Sequence, residues 1–427
     1  MRILAGDVIF IPTKGKTIGV SGAVARNAIF ELKNETSFAE IIPVFGGFLP
    51  TAYLKDTNVE RIGLNGKRTV IDLNLQTGQG QQFKLTNGDM ITVPFVLDAK
   101  ERIITLEGHL YRPGDYEYSN GMTIENLVSN VSSFLPNIDL NYALIRREAP
   151  NNREIYFEQF RLNDMFNGEK IVLQSRDKIY FFDSTESRES VLADDLKSLN
   201  YQGDFYAKQR TVSVNGSVKF PGIYPYANDM NVADLLNASG NLDINASESY
   251  AVMLEIQPDR HYEVINLNIA SKETLEHPVE PEAILFIFSR NGDREEELAP
   301  VIDILSQQDT KAHGRQTINI DGQVKYPGTY PYSKDMTLPN LFMAAGGLKS
   351  SAYLGVTEVS RFQSDNRRLA RREIVTFNLE QELASPTFIL QPKDVLLVKR
   401  IPDWFEEEYV DLVGEFKFPG RYLIKKG

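Results

Sequence analysis

Four times in this sequence an aromatic pair brackets a Pro-Gly dipeptide. Tyr111 and Tyr116 flank Pro113-Gly114, and Phe220 and Tyr224 flank Pro221-Gly222. Tyr326 and Tyr330 flank Pro327-Gly328, and Phe418 and Tyr422 flank Pro419-Gly420. Aromatic faces suit the apolar faces of sugar rings, with hydroxyls adding polar contacts. Equally, alternate residues of a strand face opposite sides, so half of each set can simply pack a core. The second members, Tyr116, Tyr224, Tyr330 and Tyr422, are the ones expected to face outward. A basic hairpin, Arg367-Arg368-Leu369-Ala370-Arg371-Arg372, stands against an acidic background. Two readings hold for Arg367, Arg368, Arg371 and Arg372. They meet an anionic glycan or acidic neighbour by bidentate pairing, or they form a solvated turn that keeps a strand edge from aggregating.

Catalytic patterns are weaker. Gly15-Lys16-Thr17 matches the end of a phosphate-binding loop, but that loop needs a glycine where Phe10 stands and a helix where TIGVSG reads as a strand. His109, His261, His277 and His313 are isolated, with no second ligand at helical spacing. Carboxylates fall mostly at turns and linkers, as in 293–297 and 406–408, where a solvated face is the ordinary reading. The chain has no cysteine, which excludes disulfides, thiolate catalysis and cysteine-based zinc sites. No catalytic residue, metal or cofactor is expected.

The elements that position these residues come in repeats. Five segments align on the glycines Gly22, Gly108, Gly216, Gly322 and Gly414. Each reads as a β-hairpin whose Pro-Gly would supply a type II turn, proline presetting φ and glycine accepting positive φ. In the first repeat Asn27-Ala28 takes that place, so its turn is expected to differ. Sixteen residues beyond each of the first four glycines begins an apolar triplet spaced i, i+3, i+4: Phe38/Ile41/Ile42, Ile124/Leu127/Val128, Val232/Leu235/Leu236 and Leu338/Leu341/Phe342. That spacing is one face of a helix. Thr36, Thr123, Asn231 and Thr337 are the expected N-caps, and Gly46-Gly47, Gly240 and Gly346-Gly347 the helix exits. A tyrosine then recurs (Tyr53, Tyr142, Tyr250, Tyr353), followed by a second hairpin and an apolar closing strand: GDMITVPF, RDKIYFF, EAILFIF and KDVLLVK.

This register divides the chain. Residues 1–17 carry AGDVIFIP, which matches the closing strand of a preceding repeat. Whole repeats run over 18–98, 103–183, 211–289 and 317–400, and 408–427 starts another. The register thus implies a fragment cut inside a repeat at both ends. Linkers 184–210 and 290–316 each carry an amphipathic helix, with stripes Val191, Leu192, Leu196, Leu199 and Val301, Ile302, Leu305. A lone helix of this length is marginal in water and must dock on a neighbouring repeat or subunit.

Composition agrees with ordered globular structure: 427 residues, 42% hydrophobic and 24% charged. A net charge of −12 argues against nucleic acid as a partner. No apolar run approaches the ~20 residues of a membrane helix, and the first residues lack the features of an export signal.

The V-x-G-x-V-x-x-P-G-x-Y hairpin, the downstream helix with L-x-x-G-G, and the closing strand together resemble the soluble-ligand-binding β-grasp (SLBB) domain. The resemblance extends over four full copies and two partial ones. Tandem copies are typical of bacterial capsular and exopolysaccharide export proteins of the Wza type. It implies an α+β fold of tandem β-grasp domains in an elongated string with helical linkers. It also implies a non-catalytic, periplasmic role in polysaccharide export, the parent protein being associated with the outer membrane and homo-oligomeric around a translocation path. The implied partners are capsule or exopolysaccharide and an inner-membrane chain-length or export protein. The alternative is a carbohydrate-binding module that recognises exported or cell-wall glycan without forming a conduit. The lipobox cysteine, N-terminal export domain and C-terminal membrane-spanning helix of that family are not found in this sequence.

Overall fold

The computed structural model describes residues 4, 6–10, 13–97, 100–310, 314–364, 370–402, 404 and 408–424. The chain divides into two compact units, residues 1–101 and 102–427.

The first unit holds one five-stranded sheet: β1 (Lys16–Gly22), β2 (Ala28–Leu32), β3 (Thr57–Ile62), β4 (Arg68–Leu73) and β5 (Met90–Val93), ordered β2-β1-β5-β3-β4. β5 runs parallel to β1, and the other neighbours are antiparallel. A short helix, Phe38–Ile41, crosses one face and buries Phe38 and Ile41 against Ile18, Val20, Val59 and Ile91. Its N-cap is Ser37 rather than Thr36, because the Glu40 carboxylate reaches back to accept from the Ser37 and Thr36 amides. The apolar residues Val8, Ile9 and Phe10 are exposed and pair with no strand among the described residues. Among the described residues of 1–17 no closing strand is seen ahead of β1; such a strand takes its place from two flanking strands.

The second unit repeats this sheet three times. The second sheet comprises β6 (Ile103–Gly108), β7 (Gly114–Glu117), β8 (Ile138–Glu148), β9 (Ile155–Phe160) and β10 (Lys178–Asp183). The third comprises β11 (Thr211–Gly216), β12 (Gly222–Pro225), β13 (Ala246–Ile256), β14 (Tyr262–Leu267) and β15 (Ile284–Ser289). The fourth comprises β16 (Thr317–Gly322), β17 (Gly328–Pro331), β18 (Val356–Ser364), β19 (Ala370–Asn378) and β20 (Val395–Val398). All keep the order second-first-fifth-third-fourth. A further hairpin, β21 (Glu408–Leu412) with β22 (Gly420–Ile424), follows. The crossing helices are Val232–Ala238 and Leu338–Ala344 in the third and fourth repeats, but only the single 3-10 turn Ile124–Asn126 in the second. Thr123, Asn231 and Thr337 are their N-caps. The fold is a tandem α+β array.

The hairpins reverse in a different way from a type II Pro-Gly turn. Gly114, Gly222, Gly328 and Gly420 are already the first rungs of the second strands, opposite Leu106, Val214, Ile320 and Leu412. Ala28 stands opposite Val20 in the same register, so the first repeat turns like the others despite lacking Pro-Gly. The reversal rests on the anchor glycines, which have φ of 92°, 94°, 89° and 92° at Gly22, Gly108, Gly216 and Gly322. A Cβ there would stand 2.0–2.1 Å from the carbonyl oxygen of Val93, Phe181, Ile287 or Val398 in the closing strand. That oxygen instead accepts from the amide after the glycine, for example Ser217 N at 2.8 Å.

Candidate functional site

The tyrosines singled out for ligand contact are turned to the protein itself. Tyr224 and Tyr330 are 3% and 1% exposed and lie in the cores, correcting the expectation that they face outward. All four hydroxyls donate to a carbonyl four residues back: Tyr116 to Arg112 (2.7 Å), Tyr224 to Phe220, Tyr330 to Tyr326 (2.7 Å) and Tyr422 to Phe418 (2.7 Å). Each ring thus staples the segment between anchor glycine and second strand. The burial that fixes Tyr224 pushes its phenol up to about 12, and desolvation raises that of Tyr330 as well. Tyr116 is half-buried, and Tyr422, in the last hairpin, is 42% exposed. Alternation alone could not say which face of these hairpins meets the core.

Of the basic hairpin, Arg372 is exposed in β19. Arg367, Arg368 and the Arg371 side chain lie outside the described residues, as does His313. Among the described residues no three His, Cys, Asp or Glu side chains cluster as a metal site. Gly15-Lys16-Thr17 leads straight into β1.

The organised chemistry lies at the junctions between repeats. After the second sheet, the linker helix Glu189–Gln202 covers that sheet's outer face. Leu192 and Leu199 join Tyr142, Leu144, Tyr180 and Phe182 below and the third-repeat core above in one continuous cluster. After the third sheet, helix Arg294–Gln307 does the same, with Leu298, Val301 and Leu305 between Tyr250, Val252, Phe286, Phe288 and the fourth-repeat core. The expected docking on a neighbouring repeat is met, although Val191 of the expected stripe is 38% exposed. The closing strands follow suit. Tyr180/Phe182 and Phe286/Phe288 are buried on the outer face, whereas the first and fourth sheets leave Met90 and Leu397 nearly half exposed.

Both junctions use the same parts at the same offset from the next anchor glycine. Arg188 and Arg294 lie buried at the helix starts. Arg188 stacks over Tyr142, Phe182 and Phe220, with centroids at 4.3, 5.4 and 5.6 Å. Arg294 stacks over Tyr250, Phe288 and Tyr326 at 5.5, 4.7 and 5.3 Å. At the other helix end, Gln202 donates to and accepts from the Ile155 backbone, both at 2.9 Å, and Gln308 does so with Tyr262 at 2.9 Å. Each amide side chain thereby occupies backbone groups at the free edge of the strand beneath it. In the first, second and fourth repeats an arginine of the third strand meets the aspartate that opens the closing strand: Arg61–Asp89 (2.8 Å), Arg147–Asp177 (3.3 Å) and Arg361–Asp394 (2.7 Å). Each aspartate also caps its own turn, accepting from Thr86, Gln174 or Gln391. In the third repeat Glu255 and Ala283 stand there, and burial raises the Glu255 carboxyl. None of these residues was singled out from sequence, although the constant offset of Arg188 and Arg294 from Gly216 and Gly322 was a signal.

Two equivalent clefts open at these junctions. One, of about 330 Å³, is lined by Ala149, Tyr156, Glu158, Arg210 and Asn228. The other, of about 240 Å³, is lined by Gln257, Tyr262, Gln316, Tyr332 and Lys334. Among the described residues no helix is long and apolar enough to cross a membrane.

Four copies of one mixed sheet, with helices fastening three of them in series, define a tandem β-grasp repeat protein. Residues 17–72, 211–252 and 317–370 match the SLBB domain model, so the chain carries SLBB domains in tandem. SLBB is a binding and scaffold domain found in polysaccharide-export proteins. No curated protein matches the chain.

Proposed function

We propose that this chain is a non-catalytic periplasmic part of a capsule or exopolysaccharide export system, with residues 18–98, 103–183, 211–289 and 317–400 as its domains. Its work is geometric: the repeats hold surfaces at set spacing, and the full-length protein assembles as a homo-oligomer beside the polymer's path, with an inner-membrane export protein as partner. The observation that carries this reading is the repeated junction. Polar side chains there are committed to fastening one SLBB domain to the next, as a scaffold requires.

Glycan contact belongs at the two equivalent junction clefts rather than at the buried hairpin residues Tyr224 and Tyr330. Tyr156 in one and Tyr262 and Tyr332 in the other stand beside amide and charged side chains, the mixture that sugar rings and hydroxyls take. Titration with purified capsule or exopolysaccharide fragments tests this contact. Binding weakened by Tyr156→Ala and Tyr332→Ala supports it, and no binding at millimolar ligand removes polysaccharide contact. Light scattering of the full-length protein tests the scaffold; a strict monomer overturns the assembly.

A further inference from the structure

Arg188 and Arg294 occupy the same place in successive junctions, yet among the described residues only Arg188 has a counter-ion. The Arg188 guanidinium donates to the Asp139 carboxylate and to the carbonyls of Asn237 (2.8 Å) and Ala238. Asp139 follows Ile138, the residue paired with Asp183 at the end of its closing strand. In the next repeat Ala246 pairs with Ser289, and the residue that follows is Ser247. The carboxylate is replaced by a hydroxyl, and that hydroxyl lies 3.1 Å from Ser249 Oγ.

Arg294 is only 5% exposed. Among the described residues its side chain makes one hydrogen bond, from Nη2 to the Ser289 carbonyl at 3.3 Å, and its Nε and one Nη are buried without a partner. Among the described residues no carboxylate comes within ion-pair distance. Glu297, the nearest in sequence on the same helix face, is taken by the Ser289 amide (3.1 Å) and hydroxyl. Tyr326, the third ring of the cage, donates its hydroxyl to Arg290 O at 2.8 Å. Ring faces attract the cation but carry no net charge to neutralise it, and a buried charge calls for a counter-charge.

We propose that Arg294 forms a small-anion site, taking a halide or the carboxylate group of a small acid in the place that Asp139 fills one junction earlier. The anion supplies from solvent the counter-charge that Ser247 does not, so the junction between the third and fourth repeats is fastened more tightly when anion is bound. This site is independent of the polysaccharide reading, since the Arg294 side chain is buried from the surface that a polymer would meet.

Crystals of the wild-type chain grown or soaked in sodium bromide test it directly. An anomalous peak in contact with the Arg294 guanidinium supports the site; a water only, or no density, overturns it. In solution, thermal unfolding is compared in bromide, acetate and a bulky-anion salt at equal ionic strength. The wild-type midpoint is expected to rise with bromide and acetate, while Ser247→Asp starts higher and loses that response. Equal responses in the two proteins contradict the proposal, and should Ser247→Asp fail to fold, the bromide crystal still decides.

Discussion

The carbonyl oxygen of Ile287 sits 2.0 Å from where a Cβ on Gly216 would stand. The same relation joins the anchor glycine to the closing strand in all four sheets, so a residue at one end of each repeat is dictated by backbone roughly seventy positions later.

Gly216→Ala is therefore expected to cost several kcal/mol, because it adds left-handed strain of about 1–2 kcal/mol to a backbone collision. Gly222→Ala, at the residue that reads as the turn glycine, meets nothing within 4 Å and should cost no more than about 1 kcal/mol. Denaturant unfolding of the two variants compares them; equal losses would contradict this account of the hairpin.

Leu199→Ala removes a fully buried side chain from the cluster shared by the second and third repeats. The expected loss is about 2–5 kcal/mol. Because the cluster spans both repeats, calorimetry should show one of two transitions separating from the other, rather than a uniform fall in the second unit.

Asp139→Ala leaves Arg188 buried without its carboxylate. Breaking such a pair costs about 3–5 kcal/mol, and Asp139→Asn, which keeps one acceptor, should cost less. Denaturation midpoints of the two variants give the order.

Alkaline pH should unfold the second unit through its buried phenols. Tyr224 is held neutral by burial up to about 12, against an ordinary value of 10.0, and burial raises Tyr142 and Tyr250 in the same direction. Folding thus favours the protonated ring. Its contribution is complete below pH 10 and is lost as pH rises through about 12. Ultraviolet titration of tyrosinate should show these rings ionising together with unfolding, not before it.

Much of the repeat was legible because its signals are local. The i, i+3, i+4 triplets located the crossing helices, Asn231 and Thr337 marked their starts, and the apolar closing strands ended each unit. What stayed hidden depends on distant partners. Pro221-Gly222 looks like a turn in its own neighbourhood, yet the reversal is set at Gly216 by Ile287. Alternation gave Tyr224 and Tyr330 two faces without saying which was inner. Arg188 and Arg294 looked like ordinary linker charges, since their aromatic cages come from three separate segments. The aromatic residues at the outer positions of β10 and β15 were the available clue that those sheets are covered on both faces.

Removing the gene in its native organism and measuring polysaccharide at the cell surface and inside the cell tests the proposed role in export. Surface polymer should fall and retained polymer accumulate, with both restored by the full-length gene. Unchanged polymer at the surface would contradict a role in export.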